Sequence, residues 1–294
     1  MRVLKWEWRE HRSEAIKQGW YKFSRNPLSV VGLCIVVVIA FIAAFAPYVT
    51  PHPEHAGPYV DFSIARQQPS LKHLLGTDRF GRDVLTRIAF GFRYSLLLAV
   101  TIIVLSVPVG VGIGLLAGYY HGTWIDRILM RVTDIFLAVP PLILALAVTA
   151  VLTPGLFNAA MALSIAWWTW YARLVYGIAA SYRNEYFVRS AEVLGERWPH
   201  IVFREILPNC ISSIFTKMSL DMGMAILVGS ALSFLGLGAQ APTPDLGTMV
   251  ADGSKYLPDL WWIAVFPAFA IMITVLGFNL LGDGLRDMFA IEEL

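Results

Sequence analysis

Few residues in this 294-residue chain have the types and spacing that chemistry requires. His52-Pro53-Glu54-His55 sets two imidazoles and a carboxylate side by side, a donor set that suits a first-row transition metal. The two prolines at Pro51 and Pro53, and the lack of further clustered ligands, instead predict an ordinary loop. Asp221 is the one carboxylate well inside an apolar run, where insertion costs about 2.5–3.5 kcal/mol, so it must face protein or water. Lys217 stands one helical turn before it. Two readings are open: a pair satisfied within the fold, or a charge that lines a pathway and meets a cationic substrate.

Other chemistries lack their parts. No histidine lies in an apolar run to activate a serine, and Asp221 has no second carboxylate beside it, which argues against an intramembrane enzyme. No G-x-x-x-x-G-K-[ST] loop is present to cradle phosphates, and the glycine-rich run from Gly110 to Gly118 lacks lysine. Cys34 and Cys210 fall in or beside separate apolar runs, so neither a disulfide nor redox chemistry is expected. A net charge of +2 without a nucleic-acid motif gives no reason to expect nucleic acid. A non-catalytic chain with no cofactor of its own is the expectation.

The most patterned polar stretch is 181–208, set between two membrane-length apolar runs. Arg189 to Leu194 predicts a short helix, Gly195 permits a sharp turn, and a second helix from Arg197 to Ile206 is expected to stop at Pro208. Val193 and Leu194 would enter a groove on a soluble partner, with Glu196 and Arg197 at its rim.

The elements that carry this segment follow from composition. At 57% hydrophobic and 15% charged, the chain reads as an all-α polytopic membrane protein. Six runs approach the length of about 20 apolar residues that spans a bilayer: 28–46, 94–117, 135–152 with Pro140-Pro141 interrupting it, 156–180, 210–237 and 260–281. An even number puts both termini on one side, and most of the 23 lysines and arginines select the cytoplasm for that side and for 181–208. A basic cluster between Arg66 and Arg93 runs against this orientation. Ala44-Phe45-Ala46 resembles a cleavage site, but the span-length apolar run and Pro47 predict a retained first span.

The chain then divides into an interfacial segment 1–27, a first transmembrane helix 28–46, an external loop 47–93, a five-helix core 94–282 and a cytoplasmic tail 283–294. Trp6, Trp8, Trp20, Tyr21 and Phe23 among basic residues suit a helix in the lipid headgroup layer. In the external loop, Thr77 or Asp78 is expected to cap an amphipathic helix carrying Val84, Leu85, Ile88 and Phe92. Gly110, Gly114 and Gly118 share one helix face and let another backbone approach. Trp167-Trp168-Thr169-Trp170-Tyr171 reads as packing, with stacking on a sugar as the alternative. Ser233, Phe234, Gly236 and Gly238, in the string Ala231 to Pro244, predict a mobile outer constriction of a translocation pathway, with Asp221 further inside.

Four blocks resemble the membrane subunits of binding-protein-dependent ABC importers, and among them the C-type subunit of dipeptide and oligopeptide systems: 75–85, 190–209, 232–244 and Gly282-Asp283-Gly284-Leu285-Arg286-Asp287. The family's cytoplasmic signature is Glu-Ala-Ala, three residues, Gly, then nine residues before Ile-x-Leu-Pro. Gly195, Leu207 and Pro208 keep that spacing and Ala191 matches the second alanine. Arg189 and Ser190 replace Glu-Ala, and Glu205 stands at the isoleucine. The resemblance implies a type I ABC importer permease fold in the plasma (inner) membrane. It implies a paralogous permease subunit, two ABC ATPase subunits that bind ATP and Mg, and an external substrate-binding protein. It makes Ser190, Ala191, Val193, Leu194, Gly195, Glu196, Arg197, Leu207 and Pro208 the ATPase-coupling residues. Di- or oligopeptides are the implied cargo, with oligosaccharides, glutathione or nickel complexes on the same machinery as alternatives. A secondary transporter is the remote alternative, since no inverted repeat or set of embedded ionisable groups is evident.

Overall fold

A computed structural model describes residues 17–289; Trp6, Trp8 and the last five residues lie outside them. The described residues are helical, with no strand beyond an isolated bridge between Thr77 and Asp83. Helix α1 covers residues 17–25 and seats Phe23 against Gly284. Asn26 then caps α2 (Pro27–Val49), its side chain accepting from the Leu28 N–H with Pro27 at the first position. The remaining helices are α3 (Val84–Tyr119), α4 (Trp124–Leu137), α5 (Pro141–Thr149), α6 (Leu156–Tyr182), α7 (Tyr186–Val193), α8 (Trp198–His200), α9 (Leu207–Phe234), α10 (Leu246–Ser254) and α11 (Trp262–Phe289).

Among the described residues four helical runs are long and apolar enough to cross a membrane: α2, α3, Trp198–Phe234 and α11. The bent pair α4 and α5 makes a fifth candidate. The helix α6 has the length but carries Trp167, Trp168, Trp170, Tyr171 and Arg173, which lower its hydropathy. Apolar side chains such as Val37, Val38, Phe41, Val104 and Met272 are exposed along these helices, as they are where lipid replaces water.

Three boundaries differ from the sequence expectation. The helix expected in the external loop is the first part of α3, which runs unbroken for 36 residues because nothing between Val84 and Tyr119 stops it; Pro108 is accommodated inside. Asp83 caps that helix, accepting from Thr86 N at 2.8 Å, whereas Thr77 and Asp78 fold the preceding loop. The expected cytoplasmic loop after α3 is mostly α4, and Pro140-Pro141 turns the chain by 82° into α5, which has only nine residues. In addition, α11 continues to Phe289, so the start of the tail is helix.

The α3–α6 contact is the most extensive among the described helices. Cβ atoms added at Gly110, Gly114 or Gly118 would strike α6 at Trp168, Ala172 or Ala179, so these glycines set the interhelical distance. Buried alanines of α3, α6 and α9 surround Trp167 and Tyr171 to form the central core. A second cluster joins α2, α3, α10 and α11, and a third joins α7 to the ends of α3, α6 and α9.

Candidate functional site

The segment 181–208 is a built projection. Val188 and Ala191 on one face of α7 are buried with Ile201, Val202 and Ile206, and with Leu115, Val175 and Ala179. The helix stops at Gly195, whose φ of +80° places it in the left-handed region. Gly195 N donates to Glu192 O at 3.0 Å and Glu196 N to Ala191 O at 3.1 Å, the paired bonds of a glycine-terminated helix end. The reversal leaves Val193 87% and Leu194 82% exposed at the tip. Ser190, Glu196 and Arg197 are exposed around them, while Ala191 is 8% exposed and serves the fold of the tip.

A brace holds this tip. Glu192 Oε1 pairs with Arg183 Nη1 at 2.9 Å and accepts from the Tyr119 hydroxyl at 3.2 Å. The Arg183 guanidinium also lies 4.9 Å over the Tyr119 ring. The ends of α3 and α6 are thus joined to α7. Sequence reading missed the brace, because its members are separated by up to 73 positions and each looks like an ordinary surface residue.

Pro208 does not stop a helix. The residues Ile201–Ile206 form a π-helical turn between α8 and α9, with Leu207 N donating to Val202 O, five residues back. The wider turn admits a residue without an N–H, and Pro208 sits in the first turn of α9. Leu207 is half-buried and Pro208 exposed. The result is one helical run of 37 residues from Trp198 to Phe234, roughly 55 Å at 1.5 Å per residue.

Midway along it, Lys217 Nζ meets Asp221 Oδ1 at 2.8 Å. Asp221 is buried within the chain, and Lys217 lies 5.1 Å from the Trp170 ring and 5.7 Å from the Tyr171 ring. Much of the aromatic run therefore packs: Trp167 and Tyr171 are fully buried, and Trp170 covers the cation. Asp221 Oδ2 and the Tyr171 hydroxyl are both buried. Lys217 is the member of the pair that reaches a groove of about 460 Å³, shared with Ser212, Ser213, Thr216 and Arg286.

At the far end of α9 the same helix-stop geometry recurs. Gly236 has φ +85°, Gly236 N donates to Ser233 O at 2.9 Å, and Leu237 N donates to Leu232 O at 3.2 Å. Ser233 is buried and packs directly against Gly238, where a Cβ would collide with its hydroxyl. Helix α10, absent from the sequence expectation, is capped by Asp245 and presses Gly247 onto the Ser230 carbonyl. Burial raises the Asp245 carboxyl above the usual range, while hydrogen bonds from Thr248 oppose that shift. The string is thus a packed turn; Phe234 and Leu235 are exposed and line a groove of about 680 Å³ with Leu227, Met272 and Leu276.

Three arginines of the basic cluster, Arg79, Arg82 and Arg87, face carboxylates. Asp78 Oδ2 accepts from Arg82 Nε at 2.7 Å and lies 3.8 Å from Arg87 Nε; Arg79 reaches Asp252 at 3.3 Å. Arg87 also donates to Pro242 O, and Trp262 Nε1 to Thr77 O at 3.2 Å, tying the loop to the turn after α9 and to α11. His52, Glu54 and His55, expected to form an ordinary loop, converge in a 3-10 turn over Pro53–Ala56.

The chain is similar to known proteins over most of its length. The family model of the binding-protein-dependent transport system inner membrane component matches residues 110–290. That of the N-terminal TM domain of oligopeptide transport permease C matches residues 15–69. The chain is 42% identical over 273 residues to a dipeptide transport system permease protein of Alkalihalophilus pseudofirmus, covering 92% of this chain and 88% of that one. It is 40% identical over 271 residues to a glutathione transport system permease protein of Pectobacterium atrosepticum, covering 92% and 89%. It is 43% identical over 276 residues to the dipeptide transport system permease protein of Escherichia coli K12, covering 92% and 91%.

Proposed function

The chain belongs to the family of binding-protein-dependent transport system inner membrane components, and from that premise we propose how its geometry serves as the permease subunit of a peptide ABC importer. It is a multi-pass membrane protein and a component of a transporter. The finer assignments are our reading. Six crossings are made by α2, α3, the bent pair α4 and α5, α6, α9 and α11, with both termini and α7 cytoplasmic. A paralogous permease completes the pathway, two ATPase subunits bind ATP and Mg, and an external binding protein delivers di- or oligopeptides.

The single observation that carries this reading is the α7 tip. Two large apolar side chains, Val193 and Leu194, stand more than 80% exposed on a turn otherwise fixed by burial and an ion pair. A rigid apolar projection fits a groove on a soluble partner and not solvent. We assign Val193 and Leu194 as the inserted pair, Ser190, Glu196 and Arg197 as rim contacts, and Ala191, Gly195, Leu207 and Pro208 as residues that shape the tip and its exit. Nucleotide-driven closure of the ATPases would move this tip and, through the Trp198–Phe234 run, the outer turn. Ser233, Gly236 and Gly238 hold that turn, and Phe234 projects from it as the gating side chain. Asp221 anchors the middle of the lever, and Lys217 presents the charge of the pair to the groove.

Purification of the tagged chain under conditions that preserve membrane complexes should recover an ABC ATPase, a second permease and the binding protein. Native mass spectrometry of that binding protein identifies the cargo. A complex without any ATPase would refute the assignment.

A further inference from the structure

We propose that the loop between α2 and α3 is a binding site for a divalent transition-metal ion, held by His52, Glu54 and His55. The ligand atoms of the three side chains all lie within 4.8 Å of one another. His52 Nδ1 and His55 Nε2 each stand 3.7 Å from the same carboxylate oxygen, Glu54 Oε1. Metal–ligand distances of about 2.0–2.2 Å in a tetrahedron place ligands about 3.4 Å apart, so these two edges need to shorten by only a few tenths of an ångström.

The backbone and neighbouring rings hold this arrangement without an ion. Pro53 opens the turn, His55 N donates to His52 O at 2.9 Å, and Gly57 N donates to Glu54 O at 3.3 Å. The His55 ring stacks on Tyr59 at 4.0 Å and on His52 at 4.9 Å, and His73 lies 5.0 Å from His52. Two imidazoles with one carboxylate select zinc-like borderline ions over calcium or magnesium, which need all-oxygen shells. Glu54 is exposed, which gives an ion access, and water completes the fourth position.

The second ring nitrogens decide what binding does. His52 Nε2 faces Lys72 O at 3.4 Å, so it carries the proton and leaves Nδ1 free to ligate. In His55 the order is reversed: Nδ1 accepts from Asp83 N at 2.9 Å, so Nε2 holds the proton in the metal-free chain. Coordination through Nε2 moves that proton to Nδ1, which then opposes the Asp83 N–H donor to donor. Asp83 is the N-cap of α3, where Oδ2 takes Thr86 N and Oδ1 faces His73 Nδ1 at 3.0 Å. Metal binding therefore exchanges one hydrogen bond at the start of α3 for coordination, and it loosens the joint between this loop and the helix.

The test is a Co²⁺ titration of the full-length chain in detergent, followed by the visible ligand-field absorption of tetrahedral Co²⁺, with displacement by Zn²⁺. One ion per chain is expected. His52→Ala and Glu54→Gln should each weaken it at least about tenfold. His121→Ala and His200→Ala, far along the chain, should not change it. Hydrogen exchange at the Asp83 amide should accelerate with Zn²⁺ in the wild type and not in His52→Ala. No saturable binding, binding that survives both ligand variants, or binding that leaves Asp83 protection unchanged would overturn the proposal.

Discussion

Leu194→Asp separates docking from folding. The side chain is 82% exposed and belongs to none of the three buried clusters, so its loss should leave the isolated permease within about 0.5 kcal/mol of wild-type stability. In a partner groove the same side chain would be desolvated, and full burial of a leucine contributes about 1.5–3 kcal/mol. At about 1.4 kcal/mol per factor of ten, removing it weakens ATPase association roughly 10- to 150-fold. Placing a carboxylate in an apolar groove adds a desolvation cost, so Asp should be worse than Ala. The assay is titration of purified ATPase onto permease in nanodiscs, with thermal unfolding of the permease alone as the control. Wild-type association of Leu194→Asp, or a loss matched by an equal fall in permease stability, would refute the assignment of the tip.

Gly195→Ala should cost about 1–2 kcal/mol from the left-handed φ alone, since no atom lies within 4 Å of an added Cβ; Gly195→Pro, which also loses the N–H to Glu192, should abolish stimulated ATP hydrolysis while membrane insertion persists. Asp221→Asn removes the charge partner of Lys217, whose side chain is 28% exposed, and should destabilise the chain by about 1.5–3 kcal/mol, whereas Lys217→Met with Asp221→Leu should be close to neutral in thermal unfolding. Transport of all substrates unchanged in Asp221→Asn would remove the pair from the pathway. Asp245→Ala should cost about 0.5–2 kcal/mol through loss of the α10 cap. The raised Asp245 carboxyl contributes stability that is full at low pH and lost as pH rises through its folded-state value, so Asp245→Asn should hold the cap and flatten that fall in a stability–pH profile.

What the sequence disclosed depended on how local each cause was. Gly195 announced a reversal because a helix end with positive φ is decided within about six residues, and the observed bonds span Ser190 to Glu196. The apolar runs of α2, α9 and α11 were legible for the same reason, to within a few residues except at the C-terminal end of α11. Pro208 misled because it follows a π turn and falls in the first turn of α9, where a missing N–H is tolerated. The brace of Tyr119, Arg183 and Glu192, and the convergence of His52 and His55 with Asp83, needed distances that no local pattern encodes. Helix α10 was hidden by its small residues, since Gly247 is selected by contact with Ser230 rather than by helix propensity.

The two helix stops, at Gly195 and Gly236, flank a single helical run, and this constrains how force can pass through the chain. Had Pro208 ended the helix, displacement of Val193 and Leu194 would be absorbed by loop bending before it reached α9. The π turn carries the helix across Pro208, and the Glu192 brace ties α7 to the ends of α3 and α6. Lys217, paired within α9, rests on Trp170 and Tyr171 of α6, so these two helices are locked again near the middle. On the proposed function, tip, lever and outer turn move together, and Phe234 shifts when Leu194 does. A gate of that proposed kind needs no flexible element between tip and outer turn: the glycines stand at the ends of the lever, and a widened turn, rather than a break, accommodates the proline.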